Sequence, residues 1–171
     1  MRFLTVVRHA ESSKATPGQR DVDRPLSERG RAQCDWLRAA AADDSALGRF
    51  GPATVLVSAA VRTVETYERA FAGLAIVASM VTSERIYNGF HDVSAEDMLV
   101  ELAAVDPVST SLMVVGHNPT VLDLMALLAT RLPGKLRKGH FPTGAAYVLG
   151  LPEDRPLGSA TYDVVAKYVP D

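Results

Sequence analysis

The chain has 171 residues, of which 47% are hydrophobic and 22% are charged, as is ordinary for one soluble globular domain. Its net charge of −2 gives no overall attraction to nucleic acid or anionic membranes, so neither is expected as a partner. No apolar run is long enough to span a bilayer. The single cysteine, Cys34, excludes an internal disulfide and a cysteine-rich metal site. Without a signal-peptide pattern at the N-terminus, these features predict one cytoplasmic domain over residues 1–171.

The first elements are a buried strand and an amphipathic helix. The run 3–7 is continuously apolar, which is typical of a strand covered on both faces of an α/β sheet. A polar loop, 12–24, then leads to Ser27, a suitable N-cap for a helix. Within that helix, Gly30 indicates close approach of another backbone segment. Cys34 lies on the same apolar stripe and is predicted to belong to the core rather than to act as a nucleophile.

Strand and helix patterns continue to alternate through the middle of the chain. A second buried strand is expected at 53–57, and Ser58 is expected to cap the helix that follows it. A short third strand is predicted at 74–77. Ser94, with Asp97 three residues later, resembles a capping box that opens a further helix. This alternation is typical of a sheet with helices packed on its faces.

The last third of the chain completes the sheet. Another continuous apolar strand is predicted at 112–115, followed by Asn118 as N-cap and Pro119 as the first helical residue. Two final strands, 145–149 and 162–169, are separated by a short connection and are expected to pair antiparallel. The chain therefore predicts a three-layer α/β/α sandwich with a mostly parallel sheet of about six strands.

Three strand exits carry cationic or imidazole side chains. Arg8 and His9 follow the first strand, Arg62 lies one turn into the helix after the second strand, and His117 follows the strand at 112–115. Ligands of open α/β sheets bind where strands end. Helix N-termini and arginine forks both favour a phosphoryl group. The sequence therefore predicts a phosphate site, without the glycine-rich loop of nucleotide-binding P-loops and without the ligand spacing of a zinc site.

The motifs at these exits resemble those of the histidine phosphatase superfamily, which has the phosphoglycerate mutase-like fold. Arg8-His9-Ala10 is similar to the Arg-His-Gly motif of that family, with alanine in place of glycine. The segments 23–30, 58–66 and 115–119 resemble its other motifs in the same order. With 141–145 and the short length of the chain, they point to the SixA-like phosphohistidine phosphatase branch.

The resemblance implies a role for each residue at the exits. His9 would be the nucleophile and would carry a transient phosphoryl group. Arg8, Arg62 and His117 would hold the phosphoryl oxygens and stabilise the transition state. No metal and no other cofactor is implied. The expected activity is hydrolysis of phosphohistidine in proteins, and the partner would be a phosphorylated protein or a small phosphorylated substrate.

Glu84 is the best candidate for a general acid, because the segment 83–87 resembles the one that carries the acid in many members of the family. The alternative is that Glu84 is an ordinary surface residue. SixA-like members can lack a clear acid, since imidazole is a far better leaving group than an alkoxide.

Several other residues have two open interpretations. Lys14 and Arg20 could line the rim of the pocket, and His91 could touch substrate, or all three could be surface residues. A basic loop could guide a phosphorylated protein or simply be solvated; it contains Arg131, Lys135, Arg137, Lys138 and His140. Trp36 and Tyr67 are predicted to lie in the core.

Two other functions remain open on the sequence. One is a mutase or phosphatase of small metabolites, although the chain looks too short for segments that close over sugar phosphates. The other is a phosphate-binding module without catalysis, which would have no need of a nucleophilic histidine.

Overall fold

The computed structural model of the protein describes residues 1–89, 91–105, 111–153 and 155–171. Within these ranges the elements are β1 (Arg2–Arg8), α1 (Glu28–Ala42), β2 (Ala53–Ser58), α2 (Val61–Ala70), β3 (Val77–Ser83), α3 (Ala95–Ala104), β4 (Ser111–Gly116), α4 (Thr120–Leu128), α5 (Gly134–Arg137), β5 (Ala146–Leu151) and β6 (Val164–Tyr168). Short 3-10 helices span Asp21–Asp23, Leu47–Phe50 and Glu84–Ile86. No helix in the described ranges is both long enough and apolar enough to cross a membrane.

The strands form one sheet in the order β3-β2-β4-β1-β5-β6. The first four in that order run parallel, while β5 is antiparallel to both β1 and β6. The mostly parallel sheet and the antiparallel pair at the end of the chain are therefore as predicted. Arg8 lies opposite Gly116 and Val57 lies opposite Val115, so β1, β4 and β2 end side by side at one edge.

Helices cover both faces of the sheet. On one face, α3 and α4 pack over Leu4, Val6 and the alternating inward residues of β4. On the other, α1 and α2 pack over Val7 and the remaining residues of the same strands. Because the central strands are buried on both sides, they have continuous apolar sequences rather than alternating ones. Cys34 and Tyr67 lie in the second of these cores, as predicted.

Three predicted element boundaries are wrong. The third strand is Val77–Ser83, whereas residues 74–76 form a turn whose apolar Ile76 fills the core. This strand lies at the edge of the sheet with most side chains exposed, so it lacks the apolar run of a buried strand. Ser58 is the last residue of β2, and Ala60 is the N-cap of α2. The helix after β4 begins at Thr120, with Pro119 as its N-cap.

The prediction that Trp36 lies in the core is also wrong. Its side chain is 43% exposed on the outer surface of α1. The buried stripe of this helix contains Gly30, Cys34 and Leu37, and position 36 falls outside the i, i+4, i+7 spacing of that stripe. The position of Trp36 on the helix therefore decides its exposure, despite the large apolar area of the side chain.

Replacement of Gly30 is expected to destabilise the protein, because α1 passes directly over the residues that follow β1. A Cβ atom at this position would overlap with the backbone carbonyl of Glu11, two residues beyond His9. Gly30→Ala should lower the free energy of unfolding, because overpacking costs up to about 3 kcal/mol where the clash is with backbone, which exceeds the gain of about 1 kcal/mol in helix propensity. Urea unfolding of wild type and Gly30→Ala measures the difference in the free energy of unfolding.

Gly134→Ala is the matched control, since this helical glycine has open space around its Cβ position. We expect it to be neutral or stabilising. A Gly30→Ala protein as stable as wild type would contradict the close packing of α1 on residue 11.

Candidate active site

The three strand exits converge on one cavity of about 380 Å³. Its position follows from the sheet order, because β2, β4 and β1 are parallel neighbours. The cavity is lined by Arg8, His9, Glu11, Ser12, Arg24, Arg62, Asn88, His117, Asn118 and Thr143. The two histidines and two arginines predicted from the sequence therefore lie together.

His9 is held in one orientation at the end of β1. Its side chain is almost fully buried, and Nδ1 lies 2.7 Å from the carbonyl oxygen of Ala10. A carbonyl only accepts, so Nδ1 carries the proton and Nε2 has a free lone pair. Burial, reinforced by the charges of Arg62 and Arg8, lowers the pKa of His9 to about 3, although the Ala10 hydrogen bond opposes this. The ring is therefore neutral at physiological pH, as a nucleophile must be.

His117 faces His9 across the cavity, with 5.1 Å between the ring centroids. Its Nε2 lies 2.8 Å from Oγ of Ser58, and its buried Nδ1 has no hydrogen-bond partner among the described residues. Burial, together with the proximity of His9 and Arg62, lowers the pKa of His117 to about 2. If the Ser58 hydroxyl donates to Nε2, then Nδ1 carries the proton and is an unpaired donor.

Arg8 and Arg62 approach from different elements. Arg8 Nη1 donates to the carbonyl oxygen of Phe141 at 2.6 Å, which fixes the guanidinium beside the segment that precedes β5. Burial lowers the pKa of Arg8 from its ordinary value. Arg62 lies in the first turn of α2, and its side chain is only 7% exposed. Both guanidinium groups line the cavity, which gives it a strongly positive wall.

Arg62 already forms an ion pair with a carboxylate of the protein itself. Asp21, in a short 3-10 helix of the loop after β1, accepts from Arg62 Nη2 at 2.9 Å and from the hydroxyl of Tyr87 at 2.9 Å. Arg24 Nε forms a further ion pair with it at 3.0 Å. Partial burial opposes ionisation, but the hydrogen bonds from Tyr87 and Arg62 outweigh it and lower the pKa of Asp21. Asp21 therefore serves as an internal anion on the arginine expected to hold phosphate.

Four contacts at the site were not predicted from the sequence. The sequence predicts a helix cap at Ser58 and gives no site role to Asp21, Arg24 or Tyr87. Arg24 had a usable signal, because it lies in the segment 23–30 that resembles a family motif. The contacts of Asp21 with Arg62 and Tyr87 depend on the loop after β1 folding back over α2, and that of Ser58 with His117 depends on the pairing of β2 with β4; periodicity shows neither.

Other predicted candidates lie elsewhere. Glu84 is exposed at the start of its 3-10 helix and is not among the residues that line the cavity, so its role as general acid stays a prediction. Lys14, Arg20 and His91 are likewise exposed and do not line it. His140 does not line the cavity but lies in a neighbouring basic groove. In the described part of the chain, no three His, Cys, Asp or Glu side chains are grouped as metal ligands would be.

Comparison with known families agrees with this geometry. The model of the histidine phosphatase superfamily, branch 1, matches residues 4–101. The chain belongs to this superfamily. Its match covers β1 with His9 and α2 with Arg62, whereas His117 lies beyond the matched region. A comparison with curated proteins gave no match.

Solved structures of histidine phosphatases resemble the whole chain. A candidate phosphohistidine phosphatase SixA from Agrobacterium tumefaciens is 30% identical, with a TM-score of 0.73 and coverage of 99% of this chain and 98% of that one. A second candidate SixA, from Nakamurella multipartitia, is 27% identical, with a TM-score of 0.75 and coverage of 99% and 96%. A protein histidine phosphatase SixA bound to tungstate is 22% identical, with a TM-score of 0.71 and coverage of 98% and 96%.

The fold is also shared with phosphatases of small metabolites. A mycobacterial glucosyl-3-phosphoglycerate phosphatase is 16% identical, with a TM-score of 0.62 and coverage of 99% of this chain and 100% of that one. The protein is thus a phosphatase of the histidine phosphatase superfamily with the phosphoglycerate mutase-like fold, and it acts on a phosphorylated substrate.

Proposed function

We propose that this histidine phosphatase hydrolyses phosphohistidine in proteins through a phosphohistidine intermediate of its own. In the first step His9 Nε2 forms a bond to phosphorus while the bond from phosphorus to the substrate imidazole breaks. In the second step water attacks the phosphorylated His9, which releases inorganic phosphate and restores the neutral ring. The net reaction consumes one water and returns an unmodified histidine in the substrate.

The cationic wall stabilises the charge that develops on the phosphoryl oxygens. Arg8 and Arg62 supply preorganised guanidinium donors, and His117 supplies Nδ1–H. Because the cavity is partly enclosed, these donors act in an environment where electrostatic interactions are stronger than in water. Asp21 already accepts from Arg62 Nη2, whereas Arg62 Nε has no hydrogen-bond partner among the described residues and is a donor left for a phosphoryl oxygen.

The observation that favours phosphohistidine as the substrate is that the carboxylate lining the cavity is already hydrogen-bonded to other side chains. Among the described residues that line it, Glu11 is the single acid, and its carboxylate accepts from Ser27 Oγ at 2.8 Å and Arg29 Nη1 at 3.1 Å. Both carboxylate oxygens of Glu11 are therefore engaged by other side chains and are poorly placed to pass a proton to a leaving group. An alkoxide leaving group needs a general acid, typically for a factor of about 10²–10⁴. Imidazole leaves with far less help, which suits this site.

The second candidate is a phosphatase of small metabolites, which the small volume of the cavity and the shared fold of the mycobacterial enzyme favour. A single preparation should be assayed for release of phosphate from a histidine-phosphorylated protein, a phosphotyrosine peptide and a set of sugar phosphates. We expect the highest kcat/KM on the phosphohistidine protein. A higher kcat/KM on any sugar phosphate would favour the second candidate.

Ser58→Ala tests the proposed protonation state of His117. Without the hydroxyl that donates to Nε2, the tautomer with Nδ1–H loses its support, and one oxyanion donor is weakened. We expect kcat to fall about 10-fold, the scale of one hydrogen bond of 1–1.5 kcal/mol, with KM little changed. A purely structural role for Ser58 would instead lower the unfolding temperature and leave kcat of the folded fraction unchanged. Thermal unfolding and steady-state kinetics on the same sample separate the two.

A further inference from the structure

We propose that a basic groove beside the catalytic cavity binds an acidic surface of the phosphorylated substrate protein, an inference that rests on the proposed function. The groove has a volume of about 840 Å³. Its cationic residues are Arg8, Arg29, Lys135, Arg137, Lys138 and Lys167. Its single acidic lining residue in the described chain is Asp171.

Three separate parts of the fold bring these cations together. Lys135 and Arg137 lie on α5, and Lys138 caps that helix. Arg29 reaches the groove from the first turn of α1, and Lys167 from strand β6. The groove is therefore not simply the solvated side of one charged loop.

Most of these cations have no acidic partner within the described chain. Arg29 pairs with Glu11 at 3.1 Å, but Lys135, Lys138 and Lys167 take part in none of the ion pairs of the described residues. Elsewhere on the surface, Arg20 and Arg69 each pair with a nearby aspartate. The charge of the groove is thus left available to an external anion.

The groove is continuous with the catalytic cavity. Arg8 and Thr143 line both, so an anionic molecule whose phosphoryl group contacts Arg8 would extend directly over the cations of the groove. The protein as a whole has a net charge of −2. An acidic partner is therefore repelled weakly by the molecule overall and attracted to this one face, which orients it toward the active site.

The type of cation favours a macromolecule over a second phosphate of a small metabolite. Lys135, Arg137, Lys138 and Lys167 are exposed, with long side chains that remain in solvent. Small anions are held by a few convergent, buried donors, as at Arg62 in the catalytic cavity. Exposed charges spread over a groove instead accelerate and orient the approach of a charged protein.

Three short peptides test the inference, each with one phosphohistidine flanked by glutamates, glutamines or lysines. At low salt we expect kcat/KM to rank glutamate, glutamine and then lysine, with about 10-fold between the first two, a typical effect of electrostatic steering. The ratio should approach one at about 0.5 M NaCl, where surface charges are screened. The ratio of the glutamate to the glutamine peptide is the readout.

Charge-reversal variants test whether the preference for the glutamate peptide arises in the groove. Lys135→Glu and Lys138→Glu, singly and together, should reduce or invert the ratio. Arg155→Glu is the matched control, because Arg155 is an exposed cation outside the groove, and it should keep the wild-type ratio. If Lys135→Glu and Lys138→Glu keep the wild-type ratio of kcat/KM between the glutamate and glutamine peptides, the inference is overturned.

The outcomes separate the inference from the proposed function. Equal kcat/KM on all three peptides would overturn the docking groove and leave the phosphohistidine activity standing. Turnover of sugar phosphates with none of any peptide would overturn the proposed function and the groove with it. A preference for the glutamate peptide that is lost in Lys135→Glu and Lys138→Glu but retained in Arg155→Glu would support both the groove and the proposed function.

Discussion

His9→Ala is expected to abolish turnover of every substrate. The variant lacks the only ring nitrogen in the proposed site whose lone pair is free, since the proton of the His9 ring is fixed on Nδ1 by the carbonyl of Ala10. Loss of a covalent nucleophile typically costs at least about 10⁴-fold in kcat, because the remaining oxyanion donors have no attacking group to assist. Steady-state assays on p-nitrophenyl phosphate and a phosphohistidine peptide measure the loss.

His91→Ala is the matched control for this variant. His91 is exposed and does not line the cavity, so its loss should leave kcat within about twofold, as is usual for surface substitutions. Thermal unfolding shows whether both variants are folded. Residual turnover above about 1% in a folded His9→Ala protein would contradict the assignment of the nucleophile.

Arg62→Ala is expected to lower kcat by about 10²–10³-fold, the scale of one lost preorganised oxyanion donor. Arg62 is buried at the start of α2, and its position is set by the backbone of the helix that follows β2. Its guanidinium also holds Asp21, so the alanine variant removes one of the two cations that offset the charge of that carboxylate.

Two further variants show which property of Arg62 accounts for the loss of kcat in Arg62→Ala. Arg62→Lys keeps the charge but not the fork and should recover part of the activity. Arg69→Ala, on the exposed side of the same helix, removes an ion pair with Asp35 and should leave kcat nearly unchanged. An Arg62→Ala protein with altered KM and normal kcat would mean that Arg62 binds the ground state only.

The sequence predicts the position of the site because the site lies where buried strands end. Arg8, His9 and His117 directly follow apolar runs, and parallel neighbours place their ends at one edge. Ser58 and Asp21 could not be assigned in this way. Ser58 contacts a histidine 59 residues away across the neighbouring strand, and Asp21 contacts Arg62 only because the loop folds back over α2.

The errors in the fold have a similar origin. The sequence misplaces strand β3 because an edge strand with exposed side chains lacks the apolar pattern of a buried strand. The chemical type of Trp36 favours the core, whereas its angular position on α1 directs it outward. Local patterns thus predict elements that are buried on both faces better than those at an edge or surface.

The central claim is that His9 carries the phosphoryl group during turnover. Rapid quenching of wild-type protein with a ³²P-labelled phosphohistidine peptide, followed by proteolysis and mass spectrometry, tests it directly. The account predicts a label that is stable in base, labile in acid, present within the first turnover and located on the fragment that contains His9. A label on the fragment that contains His117, or an acid-stable label on any residue, would contradict it.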